Sequence, residues 1–406
     1  MFDTALLTRV LPYALAQFFI VAFQWAAMIF LPVFFGERGF SEFEIGMLIS
    51  VFSLVTLLLV FPLGALSDRL PPRPLLMGGA LLSSLAASLM PAVEGFFGFA
   101  SLIALAGAGF TLSSISLYSL FFKQVGAERR GLEVSIFNIG GILGAGFGAW
   151  WCGVLAERFS LSILFPMAAL FALAWAMIAL WLPRLKGISF PILEYGQDLK
   201  HARTWVLIFI IFTTASHAGF EQAGYALLQT EVIGLSTATV GRLFMIISLW
   251  MVMVTIWTGR LHDRGERPLL MMGAALIVSG VFMGASGSAK GAMDFLIYRI
   301  LHTAGDSVIN LLVLVVASII FPRHRAGGAF AFILTINTAS YFMFANLAGA
   351  VGGRFGIDRA FYLSGLIMAV GGIFLLLFRG RLRRLFRIGE PRPKERPAEP
   401  PPSVTA

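Results

Sequence analysis

The fold class this sequence predicts is an all-α integral membrane protein of twelve transmembrane helices arranged as two related six-helix halves. Three observations lead there. Hydrophobic residues make up 58% and charged residues 13% of the 406-residue chain, whereas a soluble domain carries roughly a quarter charged residues. Uncharged runs long enough to span a bilayer, about 20 residues each, recur from end to end. Finally, Gly64-Ala-Leu-Ser-Asp-Arg-Leu-Pro-Pro-Arg-Pro-Leu-Leu-Met77 returns one residue shorter as Gly259-Arg-Leu-His-Asp-Arg-Gly-Glu-Arg-Pro-Leu-Leu-Met271. The two copies lie close to half a chain length apart, the mark of an internal duplication.

Read in order, the apolar runs place spans at about 11–35, 43–66, 74–92, 95–122, 131–156, 161–182, 204–233, 237–261, 268–288, 291–320, 326–353 and 357–379. The longest polar interruption falls between the sixth and seventh. The chain therefore divides into a six-helix half at 1–182, a linker at 183–203, a second half at 204–379 and a basic, Pro-rich tail at 380–406. Forty-three glycines suit membrane helices that approach one another closely. The N-terminal apolar run lacks a small-residue cleavage site and reads as a span, not as a leader.

Lys and Arg crowd into alternate loops. With the N-terminus inside, only Arg38, Arg158, Arg242, Lys290, Arg354 and Arg359 fall on the outer side, and Arg299 lies within a span. That asymmetry sets both termini in the cytoplasm, and the compact loops suit a bacterial inner membrane. It also accounts for the net charge of +9 by topology, without a nucleic-acid partner. The alternating basic and apolar residues from Arg379 to Arg387 suit an anionic membrane surface, and Pro391 onward reads as disordered. The lone Cys152 provides neither a disulfide framework nor a Cys-based metal site.

The duplicated loop, G-x-L-x-D-R after the second span of each half, resembles that of the major facilitator superfamily of secondary transporters, over about residues 8–380. Gly64, Leu66, Ser67, Asp68, Arg69 and Arg73 match the family pattern, with Pro71 and Pro72 disrupting its G-R step. Gly259, Leu261, Asp263, Arg264 and Arg267 match it in the second copy. The resemblance implies a gating role for the loop. Gly64 or Gly259 admits a close neighbour, and the Asp meets the N-terminus of an adjacent helix, whose free amides and dipole favour an anion. It places the partner of Asp68 near Ala326–Ala329 and that of Asp263 near Gly131. Glu133 is expected to join this network through Arg129 or Arg130. A glycine signature of exporters in the fifth span is present in part: Gly131, Gly140, Gly144 and Gly148 keep its spacing, while Ala145 and Ala149 stand where it has Pro and Gly. Exporters often carry Arg before a G-x-G in the fourth span; here Ile103 precedes Gly107-Ala-Gly109.

Ionisable residues deep in a span cost about 2.5–3.5 kcal/mol each on insertion scales, so they are functional candidates by default. On the tenth span Arg299, His302, Asp306 and Asn310 share one stripe, and on the seventh so do Thr213, His217, Glu221 and Gly224. Glu221 and His302 are expected at equal depth. A carboxylate in apolar surroundings holds its proton tightly, and one beside a guanidinium releases it. An acid alternating between those settings loads and unloads a proton, so Glu221 or Asp306 is the expected carrier. His217 or His302 would act as relay and Arg299 as competing cation. This layout resembles that of proton:sugar symporters of the family, which implies nothing about a sugar. For substrate, the first half contributes Tyr13, Gln17, Gln24, Trp25, Ser114, Tyr118 and Asn138, and the second Gln222, Tyr225, Asn310, Asn337 and Tyr341. These converge near the midplane, where such transporters bind their solutes.

The expected function is proton-coupled transport of a small organic solute by alternating access, with a drug-type proton antiporter as the alternative. The expected partners are the solute, protons and the bilayer, acting on a monomer without cofactor or metal. A membrane-embedded enzyme is the remote alternative; HExxH, GxSxG and CxxC are all missing from the sequence.

Overall fold

The computed structural model describes residues 4–40, 42–126, 129–186, 200–264, 268–321 and 326–386. Over these residues the α-helices are α1 (Thr4–Met28), α2 (Leu31–Glu37), α3 (Glu42–Arg69), α4 (Pro72–Leu89), α5 (Gly95–Phe122), α6 (Arg130–Arg158) and α7 (Leu164–Ala179). They continue with α8 (Ala202–Leu227), α9 (Thr237–Asp263), α10 (Pro268–Ser286), α11 (Ala292–Ile320), α12 (Ala326–Phe355) and α13 (Ile357–Phe386). The fold is all-α and membrane-embedded, and eleven of the described helices are long and apolar enough to cross a bilayer. The 25-residue α1 holds the place of the first expected span, at about 1.5 Å per residue long enough to cross as well.

The first span ends sooner than its apolar run suggests. It breaks at Ile29–Phe30, and α2 starts afresh with Pro32 in its first turn, where a missing N–H costs nothing. Proline also explains how tight the duplicated loop is. Pro72 opens α4 directly behind Pro71, whose ψ is 118°, so α3 turns into α4 within a few residues. Beyond α8 the helix continues as a single π turn over Leu228–Val232.

Helix pairings repeat between the halves. α1 packs on α6 as α8 packs on α12, α3 on α5 as α9 on α11, and α4 on α5 as α10 on α11. Likewise α4 and α1 pack on α7 as α10 and α8 pack on α13. Between the sets run two long seams, α6 against α9 and α3 against α12, with lesser contacts of α5 on α12 and α6 on α11. The main buried cluster of the first set even takes in Leu311, Leu314, Val315, Phe330 and Ala331 from α11 and α12.

The outer surface is apolar: Leu58, Trp181, Trp205 and Leu377 are all at least 60% exposed. Hydrocarbon around the bundle removes that liability. Trp181 and Trp205 stand at the end of α7 and the start of α8, on one face of the bundle, where aromatic side chains suit the headgroup level. That face also carries the C-termini of α3 and α9 and the N-terminus of α6, so it is called the Asp263 face below. The opposite one is the far face.

Candidate functional site

Five ionisable side chains on α8 and α11 meet in the interior. His217 and Glu221 are one helical turn apart on α8, and His302 and Asp306 one turn apart on α11, so two rungs form where the helices run together. In one rung Arg299 Nη1 lies 2.5 Å and His302 Nε2 3.5 Å from Glu221 Oε1. In the other His217 Nε2 lies 3.5 Å from Asp306 Oδ1. Arg299, His302, His217 and Asp306 are buried and Glu221 partly so. The imidazoles touch edge to face with centroids 5.0 Å apart.

The orientation of each imidazole follows from its second nitrogen. His302 Nδ1 sits 2.9 Å from the Ser279 carbonyl oxygen and 2.9 Å from its hydroxyl, and His217 Nδ1 contacts the Thr214 carbonyl oxygen. A carbonyl only accepts, so Nδ1 carries the hydrogen on both rings. Each Nε2, when neutral, therefore aims a lone pair at a carboxylate. Two acceptors facing one another at 3.5 Å need a proton between them, on the ring or on the acid. In keeping with that, His302 Nε2 and Asp306 Oδ1 are both buried without a hydrogen-bond donor.

Arg299 is held on several sides: by Glu221, by Met283 Sδ at 3.5 Å and by the Tyr225 ring, 5.2 Å from its guanidinium carbon. Donor atoms of His217, Glu221 and His302 come within 4.8 Å of one another, a grouping able to hold a cation. The guanidinium already neutralises the carboxylate in that group. Tyr341 on α12 lies within electrostatic range of Asp306 and Glu221 on one side and of Tyr118 on the other, which ties this site to the first half.

In the first half, Gln17 Nε2 donates to Tyr118 Oη at 3.3 Å, and the Tyr118 ring stacks on Phe330 of α12 at 3.5 Å between centroids. Gln124 Nε2 donates to Tyr13 Oη at 2.6 Å, fixing Tyr13 by a residue the sequence did not single out. Trp25 lies against Phe244 of α9, with centroids 4.7 Å apart. Ser114 is buried, while Gln24, Asn138 and Asn337 are half-buried. Gln222 and Asn310 are exposed. On α8, Thr213 packs against Gly371 and Gly224 against Ile357, so the ends of the expected stripe face α13 and only its middle reaches α11.

The duplicated loop is partly as expected. Asp263 Oδ1 accepts from Gly131 N at 3.0 Å and Oδ2 from Leu132 N at 3.1 Å, capping α6, whose own N-cap residue, Arg129, makes no side-chain cap. Close approach explains the glycines. A Cβ on Gly131 would stand 2.6 Å from Asp263 Oδ1 and 2.8 Å from Gly259 O. Asp68 is fully buried and holds Ser119 Oγ and Lys123 Nζ, both at 3.2 Å. Its expected contact at Ala326–Ala329 falls among side chains outside the described residues, as does Arg267. Gly64 is buried in α3, and Arg69 and Arg264 are exposed.

Three details depart from expectation. Glu133 pairs with Arg9 of α1 and accepts from Gly126 N at 2.9 Å, not from Arg129 or Arg130. Arg130 instead crosses to α11, donating to Ser318 O at 2.8 Å. Arg73 donates to Leu182 O and Leu180 O at 3.1 and 2.6 Å, so it fastens α4 to the end of α7 and crosses neither seam. The glycine signature also splits, for Gly140, Gly144 and Gly148 pack on α1 while Gly131 packs on α9.

The Major Facilitator Superfamily profile matches residues 13–295. The chain belongs to that family. The multi-drug resistance efflux pump PmrA of Streptococcus pneumoniae is 24% identical over 89% of this chain and 92% of its own length. The methyl viologen resistance protein SmvA of Salmonella typhimurium is 26% identical over 60% of this chain and 47% of its own. The crystal structure of the human organic anion transporter MFSD10 (TETRAN) superposes with a TM-score of 0.74, at 15% identity, over 90% of this chain and 98% of that one. The last likeness is one of fold alone.

Proposed function

We propose that this transporter is a proton-coupled exporter of small, amphipathic organic solutes. The observation that carries the coupling is the pair of rungs, in which each imidazole turns a lone pair toward a buried carboxylate. Asp306 with His217 is the proton carrier, because Arg299 already compensates Glu221. Both helices belong to the second half, so the carrier does not come apart as the halves rock. What changes is the side from which water reaches it, and what the first half sets opposite it.

In such a cycle the first half, 1–182, and the second, 204–379, move as bodies about the linker, within a single chain that needs no second copy. Gln17, Tyr118, Trp25 and Tyr341 orient the solute in the central cleft, and the solute's arrival displaces the rung proton. Export is favoured over uptake because a relative that matches nearly the whole chain is an efflux pump. Residence in a bacterial inner membrane with both termini in the cytoplasm completes the proposal.

The test is transport into proteoliposomes of ethidium and methyl viologen, with and without an imposed pH gradient. Asp306→Asn is expected to keep counterflow exchange and to lose gradient-driven accumulation. Full accumulation by both Asp306→Asn and Glu221→Gln would refute the coupling.

A further inference from the structure

At the far face, the seam between α6 and α9 ends in a contact that mirrors the Asp263 cap. α6 and α9 run antiparallel, so each presents its C-terminal end to the other's N-terminal end. At one end Asp263, the last residue of α9, takes the amides of Gly131 and Leu132 at the start of α6. At the other, Glu157, one residue from the end of α6, accepts from Ala238 N at 3.0 Å in the first turn of α9.

That second contact adds to a cap that α9 already has within its own helix. Ser236 already serves as its N-cap, accepting from Thr239 N at 3.3 Å, with Val240 N on the Ser236 carbonyl at 2.9 Å. A cap within one helix stabilises it in every conformation. A carboxylate reaching over from the other half stabilises only those conformations in which the two helix ends meet. Between the ends the seam is lined by small groups in close contact. Ser135 Oγ donates across it to Thr255 O at 3.2 Å, Gly146 faces Ser248, and Gly241 faces the Ala149 carbonyl. The seam is thus shut along its whole length, with a carboxylate on an amide at each end.

We propose that Glu157 is a far-face latch, the counterpart of Asp263, and that the two carboxylates together set the balance between the two open states of the transporter. Opening at the far face breaks Glu157 from Ala238 and leaves Asp263 in place; opening at the Asp263 face does the reverse. Removing either latch tips the protein toward opening at that end. Sequence motifs do not find the bond from Ala238 to Glu157, because its donor is a backbone amide with no side-chain signature. The latch rests on the movement of the halves and not on what is carried or what drives it, so it stands or falls apart from the coupling at Asp306.

The test is pulsed electron–electron distance measurement on purified full-length protein in a Cys152→Ser background. One spin-label pair at Glu94 and Lys290 reports the far face, and one at Leu70 and Arg381 reports the Asp263 face; all four positions are exposed. A carboxylate on a helix N-terminus at an exposed edge contributes about 0.3–1 kcal/mol, so Glu157→Gln should raise the far-face-open population by about two- to fivefold. The Leu70–Arg381 distances should not lengthen. Asp263→Asn should lengthen that pair instead, and Glu157→Gln with Asp263→Asn should return both distributions toward the wild type. An unchanged Glu94–Lys290 distribution in monodisperse Glu157→Gln protein would overturn the proposal. So would lengthening of both pairs, or a double variant that shows no compensation.

Discussion

Adding one methyl group at Gly131 should open the transporter at the Asp263 face. The new Cβ would stand 2.6 Å from Asp263 Oδ1 and 2.8 Å from the Gly259 carbonyl oxygen. Ordinary contacts of this kind need about 3.4 Å or more, so α9 must retreat by roughly 0.6–0.8 Å or the cap must be given up. Overpacking of this order costs about 1–3 kcal/mol. The strain is confined to the conformation in which the two helix ends touch, so it becomes a shift in population. At 1.4 kcal/mol per decade that shift is about 5- to 150-fold toward the open arrangement. The assay is the Leu70–Arg381 distance distribution, read for Gly131→Ala beside Gly78→Ala, a helical glycine with no neighbour within 4 Å of its added Cβ. Gly131→Ala should lengthen the distances and Gly78→Ala leave them as they are. Equal behaviour of the two variants would refute the idea that close approach at Gly131 is what the latch requires.

Arg299→Gln leaves Glu221 inside the bundle without its guanidinium. Breaking such a pair on one side costs about 3–5 kcal/mol, so thermal unfolding in detergent should occur at markedly lower temperature, with much of the loss recovered by Arg299→Gln combined with Glu221→Gln. Arg73→Ala should lower thermal stability by about 1–3 kcal/mol, the worth of charged hydrogen bonds to two carbonyls, while the Leu70–Arg381 distances stay unchanged, because Arg73 crosses neither seam. Tyr118→Phe keeps the stack on Phe330 but loses the bond from Gln17. A neutral hydrogen bond contributes about 0.5–1.5 kcal/mol net, so half-saturation for ethidium should rise by about two- to tenfold with the maximal rate little changed, measured as counterflow in proteoliposomes.

How much of this was legible in the sequence depends on how local the signal is. Apolar run length sets the spans, and the duplicated loop sets the two-fold plan; both are properties of contiguous residues. The rungs were legible too, because His217 and Glu221, and His302 and Asp306, each sit four residues apart on one helix face, and equal depth brings the faces together. What the sequence hid lies across helices. Ser279 and Thr214 orient the imidazoles through backbone carbonyls, which carry no residue signature. Arg9 displaces Arg129 and Arg130 as the partner of Glu133 because α1 packs on α6 and brings it within reach. Lys123 reads from sequence as one more basic loop residue, yet its ammonium is buried against Asp68. The break at Ile29–Phe30 was marked by Pro32, but hydropathy alone ran straight through it.

The central claim is that solute binding displaces the proton held between Asp306 and His217. Ethidium added to purified wild-type protein in weakly buffered detergent solution should release protons in proportion to the ethidium bound, read with a soluble pH dye beside the fluorescence of binding. Asp306→Asn should still bind ethidium and release none. Proton release by Asp306→Asn equal to that of the wild type, or binding to the wild type with no release at any pH between about 6 and 8, the range in which an ordinary imidazole changes charge, would contradict it.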